Sequence, residues 1–284
     1  MQVNKALVFL AAILPALAAP ARTAKDAPPP PVTAVRAEET ITIDGQLNEK
    51  VWEKPGYSVF TQVDPVDGGE PSETTRVWVA YDDQALYVAA YLFDSEKEKI
   101  TSRLGRRDDY GESDWFLFCV DPYLDRRTGY QFAVNPAGTV CDWTLQNDTW
   151  SDSTWDGVWE AKAALNGEGW AVEMRIPFSQ LRFRRQADAV WGVDFRRVIK
   201  RKNELVAYSW RPKEQVGFVS GFSRLEGLRG LTPSRYLELM PYSFGQARFR
   251  PGEPGNPFQT GSRLLADAGL DLKWGLKSDL TLDA

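Results

Sequence analysis

The sequence predicts an all-β fold, a β-sandwich of the immunoglobulin or jelly-roll kind followed by the first strands of a second β region. Short segments in which apolar and polar residues alternate recur along the chain. Turn-forming residues separate them, as Asn166-Gly167-Glu168-Gly169 separates 158–165 from 170–176. Many short strands at regular spacing with turn signals between them are typical of a sandwich or a barrel.

The first predicted strand is 40–45, which alternates and ends at the Asp44-Gly45 turn. One helical turn is expected within 47–54, and strands at 75–80 and 85–93 form a hairpin around Asp82-Asp83. Further strands are predicted at 114–120, 129–135, 139–145, 158–165, 170–176, 190–200 and 205–210, with a short helix at 177–181.

Alternation within the 114–121 strand separates two faces. Phe116, Phe118 and Val120 share the face that we assign to the core. The opposite face carries Trp115, Leu117 and Cys119, which is unusually apolar for a solvated surface. We therefore expect a cleft or a covering loop on that side.

The N-terminus has the layout of a secretory signal peptide over residues 1–19. Lys5 precedes an apolar run at 6–19, which is shorter than the roughly 20 residues of a membrane span. This predicts export to the periplasm or the outer membrane, with an uncleaved anchor helix as the alternative. A proline-rich linker is expected at 20–38, so that folding starts near Glu39.

Composition excludes several classes of function. The net charge of -5 argues against a nucleic-acid partner, which usually needs a basic face. Histidine is absent, which excludes Ser-His-Asp and Cys-His catalytic pairs and makes a zinc site untenable with two cysteines. The remaining catalytic options are a carboxylate pair or an oxygen-liganded cation.

The two cysteines, Cys119 and Cys141, leave two interpretations open. An exported protein could pair them in a disulfide, which needs neighbouring strands with matching side-chain directions. Alternatively, both are small buried hydrophobic residues.

The basic cluster at 196–202 is expected to be solvated charge that blunts an outer strand beside a turn. Contact with lipopolysaccharide or with a barrel is the alternative.

Residues 232–284 differ from the rest. Alternating segments at 236–248, 264–274 and 280–282 contain aromatic residues and resemble the start of an outer-membrane β-barrel. Two or three strands are not stable alone, so the chain is expected to be truncated within this barrel. A terminal hairpin packed on the sandwich is the alternative.

Five segments in order carry a family resemblance over 39–231. Residues 41–52, Ile-Thr-Ile-Asp-Gly-Gln-Leu-Asn-Glu-Lys-Val-Trp, resemble the opening of family 9 carbohydrate-binding modules, a β-sandwich related to the DOMON group. The later matching segments are the 81–94 hairpin, 112–121, 130–138 and 169–177. With the signal peptide and the barrel strands, the chain resembles bacterial outer-membrane proteins of unknown role.

The resemblance implies that two aromatic rings clamp a sugar while charged residues bind its hydroxyls. The first ring would be Tyr110, and the second would fall near Phe218 or Phe222. The family's ligand-binding carboxylate and arginine positions are occupied by Leu117 and Ala133. Relatives often carry calcium, for which the strand-end oxygens are those of Asp44, Asp94, Asp114 and Asp121.

The predicted function is glycan binding by an exported module of the outer membrane, in polysaccharide breakdown or uptake. The loop at 142–156 contributes tryptophans that we expect at the same end of the sheet as Trp115. The candidate ligand-binding residues are Tyr110, Glu112, Trp115, Gln131, Trp143, Trp150 and Trp155. In the alternative, these rings only cap the open end of the sandwich.

Three other functions are alternatives to glycan binding. A polysaccharide hydrolase would need two carboxyl groups about 5 to 9 Å apart in a tryptophan-lined cleft. A domain that plugs or covers a barrel would bind nothing small. An electron-transfer module would need methionine and lysine ligands for haem, and Met174 and Met240 are the two methionines beyond the signal peptide.

Overall fold

A computed structural model describes residues 29–233, 237–249, 251, 261–277 and 280–283. The predicted signal peptide and the start of the predicted linker lie outside these residues. The described strands form three sheets.

The large sheet has nine strands in the order β1-β14-β12-β6-β7-β8-β9, with β13 paired to β12 and β3 paired to β13. The bounds of its strands are β1 Val32–Thr33, β3 Thr61–Asp64, β6 Trp115–Asp121, β7 Gly129–Val134, β8 Val140–Gln146, β9 Trp150–Asp152, β12 Asp188–Ile199, β13 Glu204–Ala207 and β14 Ser223–Arg229.

The small sheet has five strands in the order β10-β11-β5-β4-β2. Its strands are β2 Val35–Arg36, β4 Thr75–Tyr81, β5 Ala85–Phe93, β10 Glu160–Asn166 and β11 Gly169–Pro177. The third sheet consists of β15 Leu237–Phe249, β16 Ser262–Lys277 and β17 Leu280–Asp283, paired in that order.

The described helices are short 3-10 turns at Lys50–Glu53, Lys97–Lys99, Phe178–Gln180, Lys200–Lys202 and Val219–Gly221. Two of them confirm predicted helical turns, within 47–54 and at 177–181. Across the described ranges, no helix combines the length and apolarity needed to span a membrane.

The core lies between the large and small sheets, because their inward-facing side chains belong to one buried cluster. Phe116, Phe118 and Val120 of β6 are fully buried there, as predicted. Val88 and Val172 meet them from the small sheet. The two sheets therefore form the predicted sandwich.

Most predicted strands are confirmed within one to three residues at each end, but two predictions near the N-terminus are wrong. Residues 41–43 form no strand, although Ile41 is buried; the segment packs its side chains against the small sheet without joining it. The fold also begins before Glu39. Val32–Thr33 pairs parallel with β14, and Val35–Arg36 pairs parallel with β4. The predicted linker therefore contributes one short strand to each of the two sheets.

The predicted role of the basic cluster is also wrong, because β12 is a central strand. Arg197 points into the core and is fully buried. Its Nη1 donates to the Thr74 carbonyl at 3.1 Å and its Nη2 donates to the Phe93 carbonyl at 2.8 Å, so it ties the two sheets together. Arg201 forms a two-pronged ion pair with Asp94, with both distances 2.7 Å.

A disulfide between the cysteines is excluded by topology. Cys119 on β6 lies opposite Gln131, whereas Cys141 on β8 lies opposite Ala133. Strand β7 thus separates them, which puts their backbones roughly 10 Å apart, beyond the reach of a disulfide. Both are free and buried, which confirms the alternative interpretation.

Candidate functional site

The outer face of the large sheet is apolar but covered. Trp115 is 1 % exposed and Cys119 is fully buried, although both side chains point away from the core. Tyr110 from segment 101–112 covers one part of this face, and Phe218 and Phe222 from segment 211–222 cover another. The predicted covering loops are therefore confirmed.

Three aromatic rings lie together beneath the first segment. Tyr110 stacks on Trp115 with ring centroids 4.5 Å apart and meets Trp143 edge to face at 5.6 Å. The Trp115 Nε1 donates to the Gly111 carbonyl at 3.0 Å, which holds the segment in place. Tyr110 remains 44 % exposed, so part of its ring faces solvent. Partial burial raises the pKa of Tyr110 to about 12, so its hydroxyl stays protonated.

A charged pair occupies the same face on β12. Arg196 Nε lies 3.6 Å from Asp194 Oδ2, and Asp194 accepts the Ser209 backbone N–H at 2.7 Å. Burial raises the pKa of Asp194 to about 6. The Arg196 guanidinium lies over the Phe218 ring, 4.9 Å from its centroid. Its Nε is buried without a hydrogen-bond acceptor among the described residues.

Strand register explains how these charges reach the face. Arg196 lies opposite Leu117, which lies opposite Ala133. Asp194 lies two residues before Arg196 on the same face of β12, opposite Cys119. The two positions where the family resemblance implies a carboxylate and an arginine are thus apolar, but the neighbouring strand supplies one of each. We call Tyr110, Trp115, Trp143, Arg196 and Phe218 the Arg196 site.

The second covering segment is fixed by Asp148. The backbone N–H groups of Phe218 and Ser220 donate to Asp148 Oδ1 at 2.9 and 2.8 Å. Burial acts to raise the pKa of Asp148, but these hydrogen bonds outweigh it and lower the pKa. The position of the Phe218 ring is therefore set by a charged anchor in the β8–β9 turn.

The sequence had indicated Phe218 through the family resemblance, but it missed Arg196 and Asp194. The available signal was the alternation in β12. Val193, Phe195 and Arg197 point inward, so Asp194 and Arg196 must point outward onto the outer face of the large sheet.

Four of the predicted ligand-binding residues lie on this face: Tyr110, Trp115, Trp143 and Gln131. Gln131 Oε1 accepts from Cys119 Sγ at 3.5 Å. Glu112 follows at the edge of the first covering segment, where it is mostly exposed and pairs with Lys200.

Trp150 and Trp155 do not join them, which corrects the prediction. Trp150 lies opposite Gln146, and that pair faces the side of the sheet opposite to Trp143. Trp155 packs on the inner side, 5.1 Å from the Tyr130 ring and 5.9 Å from the Phe132 ring. Trp155 therefore packs against the sandwich, as in the alternative in which the rings only cap its open end.

The strand-end aspartates named above as calcium candidates do not form one cluster. In the part of the chain that the structure describes, the acidic side chains close enough to share a cation are Asp108, Asp142 and Asp156. Arg107 forms ion pairs with all three. A guanidinium thus already supplies the positive charge there, so these residues do not fit a calcium ion.

The cluster of Asp108, Asp142 and Asp156 is also where the hydrolase alternative would look for a pair of carboxyl groups. Asp142 is fully buried and accepts from the Trp159 Nε1 at 2.8 Å and the Gly157 N–H at 3.1 Å. A carboxylate held in this way cannot contact a substrate. The haem alternative is weakened too, because Met174 is fully buried in the core.

Comparison with known proteins agrees with this architecture. No family model and no curated protein matches the sequence. A proposed carbohydrate-binding protein from Bacteroides uniformis has a TM-score of 0.55 at 14 % identity, covering 70 % of this chain and 99 % of that one.

A family 9 carbohydrate-binding module from Caldicellulosiruptor kristjanssonii, solved with cellotriose and with glucose, gives TM-scores of 0.47 and 0.48. The identities are 15 % and 14 %, over 69 % of this chain and 92 % and 94 % of the module chains. At 14 % identity, the likeness to the Bacteroides uniformis protein shows a shared fold.

Proposed function

We propose that the chain binds a glycan at the Arg196 site. The observation that carries the proposal is the placement of the partly exposed Arg196 guanidinium between the partly exposed rings of Tyr110 and Phe218, with the buried Asp194 carboxylate behind it. Sugars present apolar C–H faces to rings and hydroxyl groups to polar partners, so sites of this composition suit them. Cellotriose and glucose bind the structurally similar module, which supports the same ligand class here.

Each residue has a distinct role in this proposal. Tyr110 offers the ring surface nearest to solvent, and Phe218 offers a second one across Arg196. Arg196 donates to sugar oxygens from the exposed part of its guanidinium, since its side chain is 23 % exposed while its Nε is buried against Asp194. Asp194 is itself buried, so it holds the guanidinium in place without contacting the sugar. Trp115 supports the Tyr110 ring from below.

The test is a glycan array with the full chain, followed by calorimetry with the glycan that gives the strongest signal. Tyr110→Ala is expected to weaken that affinity at least tenfold, equivalent to about 1.4 kcal/mol. Trp150→Ala is the matched control, because Trp150 is 55 % exposed but lies on the opposite face. Equal loss in both variants, or no loss in Tyr110→Ala, would contradict the proposal.

We also propose that the third sheet is part of an outer-membrane β-barrel and that the chain is exported. Register places Leu239, Leu272 and Leu270 on one face, together with Trp274. The other face is mixed, since it carries Asp267 and Asp271 beside Met240, Tyr242 and Phe244. One continuous apolar face is typical of membrane strands, and the signal-peptide pattern supports export.

Fractionation of native cells, followed with an antibody against the sandwich, tests this second proposal, because the three described strands are too few to close a barrel by themselves. The chain is expected in the outer-membrane fraction after an alkaline carbonate wash. Recovery in the soluble periplasmic fraction would contradict the membrane role and would leave the glycan proposal intact. In the membrane, the module would bring polysaccharide to the cell surface for breakdown or uptake.

A further inference from the structure

The outer face of the small sheet carries a groove that the glycan proposal does not use. Its volume is about 520 Å³, and it lies between segment 45–52 and the rings of Trp78 and Tyr91. Since β4 and β5 belong to the small sheet, this groove is on the opposite side of the sandwich from the Arg196 site. We call it the Trp78 groove.

One wall of the groove is fixed by a buried carboxylate. Glu173 is fully buried and points outward from β11. Its Oε2 accepts the backbone N–H groups of Asp44 and Gly45 at 3.1 and 2.9 Å, and its Oε1 accepts the Trp52 Nε1 at 3.0 Å. The segment is therefore attached at three points, and the groove is formed before any ligand binds.

Gly45 brings this wall close to the sheet. A side-chain carbon at Gly45 would lie 3.1 Å from the backbone of Ala163 and Ala164, and its φ of +82° is in the left-handed region. Glycine adopts that conformation without steric cost. The wall thus crosses the β10 edge without a space in between.

The chemistry of the lining points to a neutral ligand. All the lining residues are uncharged, and the partly exposed rings of Trp78 and Tyr91 supply flat apolar surface. The Tyr91 hydroxyl donates to Asn166 Oδ1 at 2.7 Å, which orients the Asn166 amide at the edge of the groove. Gln46 and Leu47 lie along the attached wall.

We propose that the Trp78 groove is a second carbohydrate site, which binds a neutral pyranose unit of an oligosaccharide. Rings for the C–H faces, amide groups for the hydroxyls and the absence of charge in the lining match that class. A volume of about 520 Å³ is within the range of small-molecule sites, roughly 300–1,000 Å³. Acidic sugars would find no cation in this lining.

The experiment uses the full chain and an array of neutral and acidic oligosaccharides, followed by calorimetry with the strongest neutral binder. Tyr110→Ala impairs the Arg196 site alone, so this variant is expected to retain a neutral glycan. Adding Gln46→Glu and Asn166→Ala should then weaken that binding at least tenfold. Gln46 lines the groove and is exposed, so the charge is introduced without disturbing the core.

Val59→Asp is the matched control, since Val59 is 64 % exposed and does not line the groove. Tyr91→Phe is a milder second variant that keeps the ring and removes the hydroxyl; about threefold weakening is expected. The proposal is overturned if Tyr110→Ala binds no neutral glycan, or if the groove variants bind as tightly as Val59→Asp. Undiminished binding in Tyr110→Ala that the groove variants abolish would support the groove and contradict the Arg196 site.

Discussion

Segments of the chain cross and cover both outer faces of the sandwich, but the charged residues are placed differently on the two faces. On the large sheet, Arg196 and Asp194 lie between aromatic rings, and the guanidinium Nε lacks an acceptor. On the small sheet, Glu173 accepts three protein donors, and the groove beside it is uncharged. The buried charge on the small sheet therefore holds the covering segment, whereas the Arg196 side chain on the large sheet stays partly exposed.

The largest effect is expected on stability, when the Glu173 carboxylate that holds segment 44–52 on the small sheet is removed. Glu173→Ala leaves the Trp52 Nε1 and two backbone N–H groups buried without acceptors, so we expect the free energy of unfolding to fall by about 3 kcal/mol. Urea denaturation measures this. Asp188→Ala, which removes an exposed ion pair with Arg229, should change it by less than about 1 kcal/mol. A loss in Glu173→Ala no larger than that control would show that the segment is held by packing alone.

Arg196→Met tests the charge on the large sheet. Glycan affinity should fall by about 10- to 100-fold, or about 1.4 to 2.8 kcal/mol, because the donor between the rings is lost. Calorimetry measures the change, and Arg224→Met provides a comparable substitution at an exposed ion pair on β14. Unchanged affinity in Arg196→Met would remove the guanidinium from the proposed site.

The two buried carboxyls should be distinguishable by pH. Burial raises the pKa of Glu173 to about 7, and that of Asp194 to about 6. A carboxyl whose pKa is higher in the folded chain stabilises the fold at low pH and loses that contribution as pH rises through the folded value. Stability should thus fall by about 1 to 2 kcal/mol between about pH 5 and pH 8.

Urea titrations at several pH values would separate the two groups. Glu173→Gln should remove the part of the pH dependence near neutrality, and Asp194→Asn the part below it. If neither variant flattened the profile, the two carboxyls would have ordinary pKa values in the folded chain.

The smallest effect concerns the cysteines beneath the Arg196 site. Burial raises the pKa of Cys141 to about 12 and that of Cys119 well above its usual range, so neither thiol is reactive in the folded chain. Mass spectrometry after alkylation should find both thiols unmodified until denaturant is added. A mass lower by two hydrogen atoms, from a disulfide, would contradict the strand order.

Local turn chemistry made most of the sandwich predictable. The Asp82-Asp83 and Asn166–Gly169 turns separate strands whose alternation is unambiguous, and both hairpins are present. Val32 and Val35 were missed because two-residue strands leave no periodic pattern. Ile41 and Ile43 alternate as a strand does, yet Glu173, distant in sequence, binds the backbone just beyond them.

The site was only partly predictable, because side-chain direction is lost across irregular turns. Asn147 and Asp148 both have positive φ, so the faces of Trp150 and Trp155 could not be extrapolated from Trp143. Tyr110 and Phe218 lie in covering segments, where the family resemblance was the available signal. By contrast, the outward direction of Arg196 follows from the alternation of side chains along β12, so this residue could have been predicted from the sequence.

The short strand β1 has a mechanical consequence. It runs parallel to β14, and the Tyr208 hydroxyl donates to the Pro30 carbonyl beside the start of β14 at Ser223. The chain therefore arrives at one end of β14 and leaves the sandwich from the other, roughly 20 Å away. Tension between the N-terminal side and the third sheet would load the β1–β14 hydrogen bonds in shear, so that they share the force rather than open one by one.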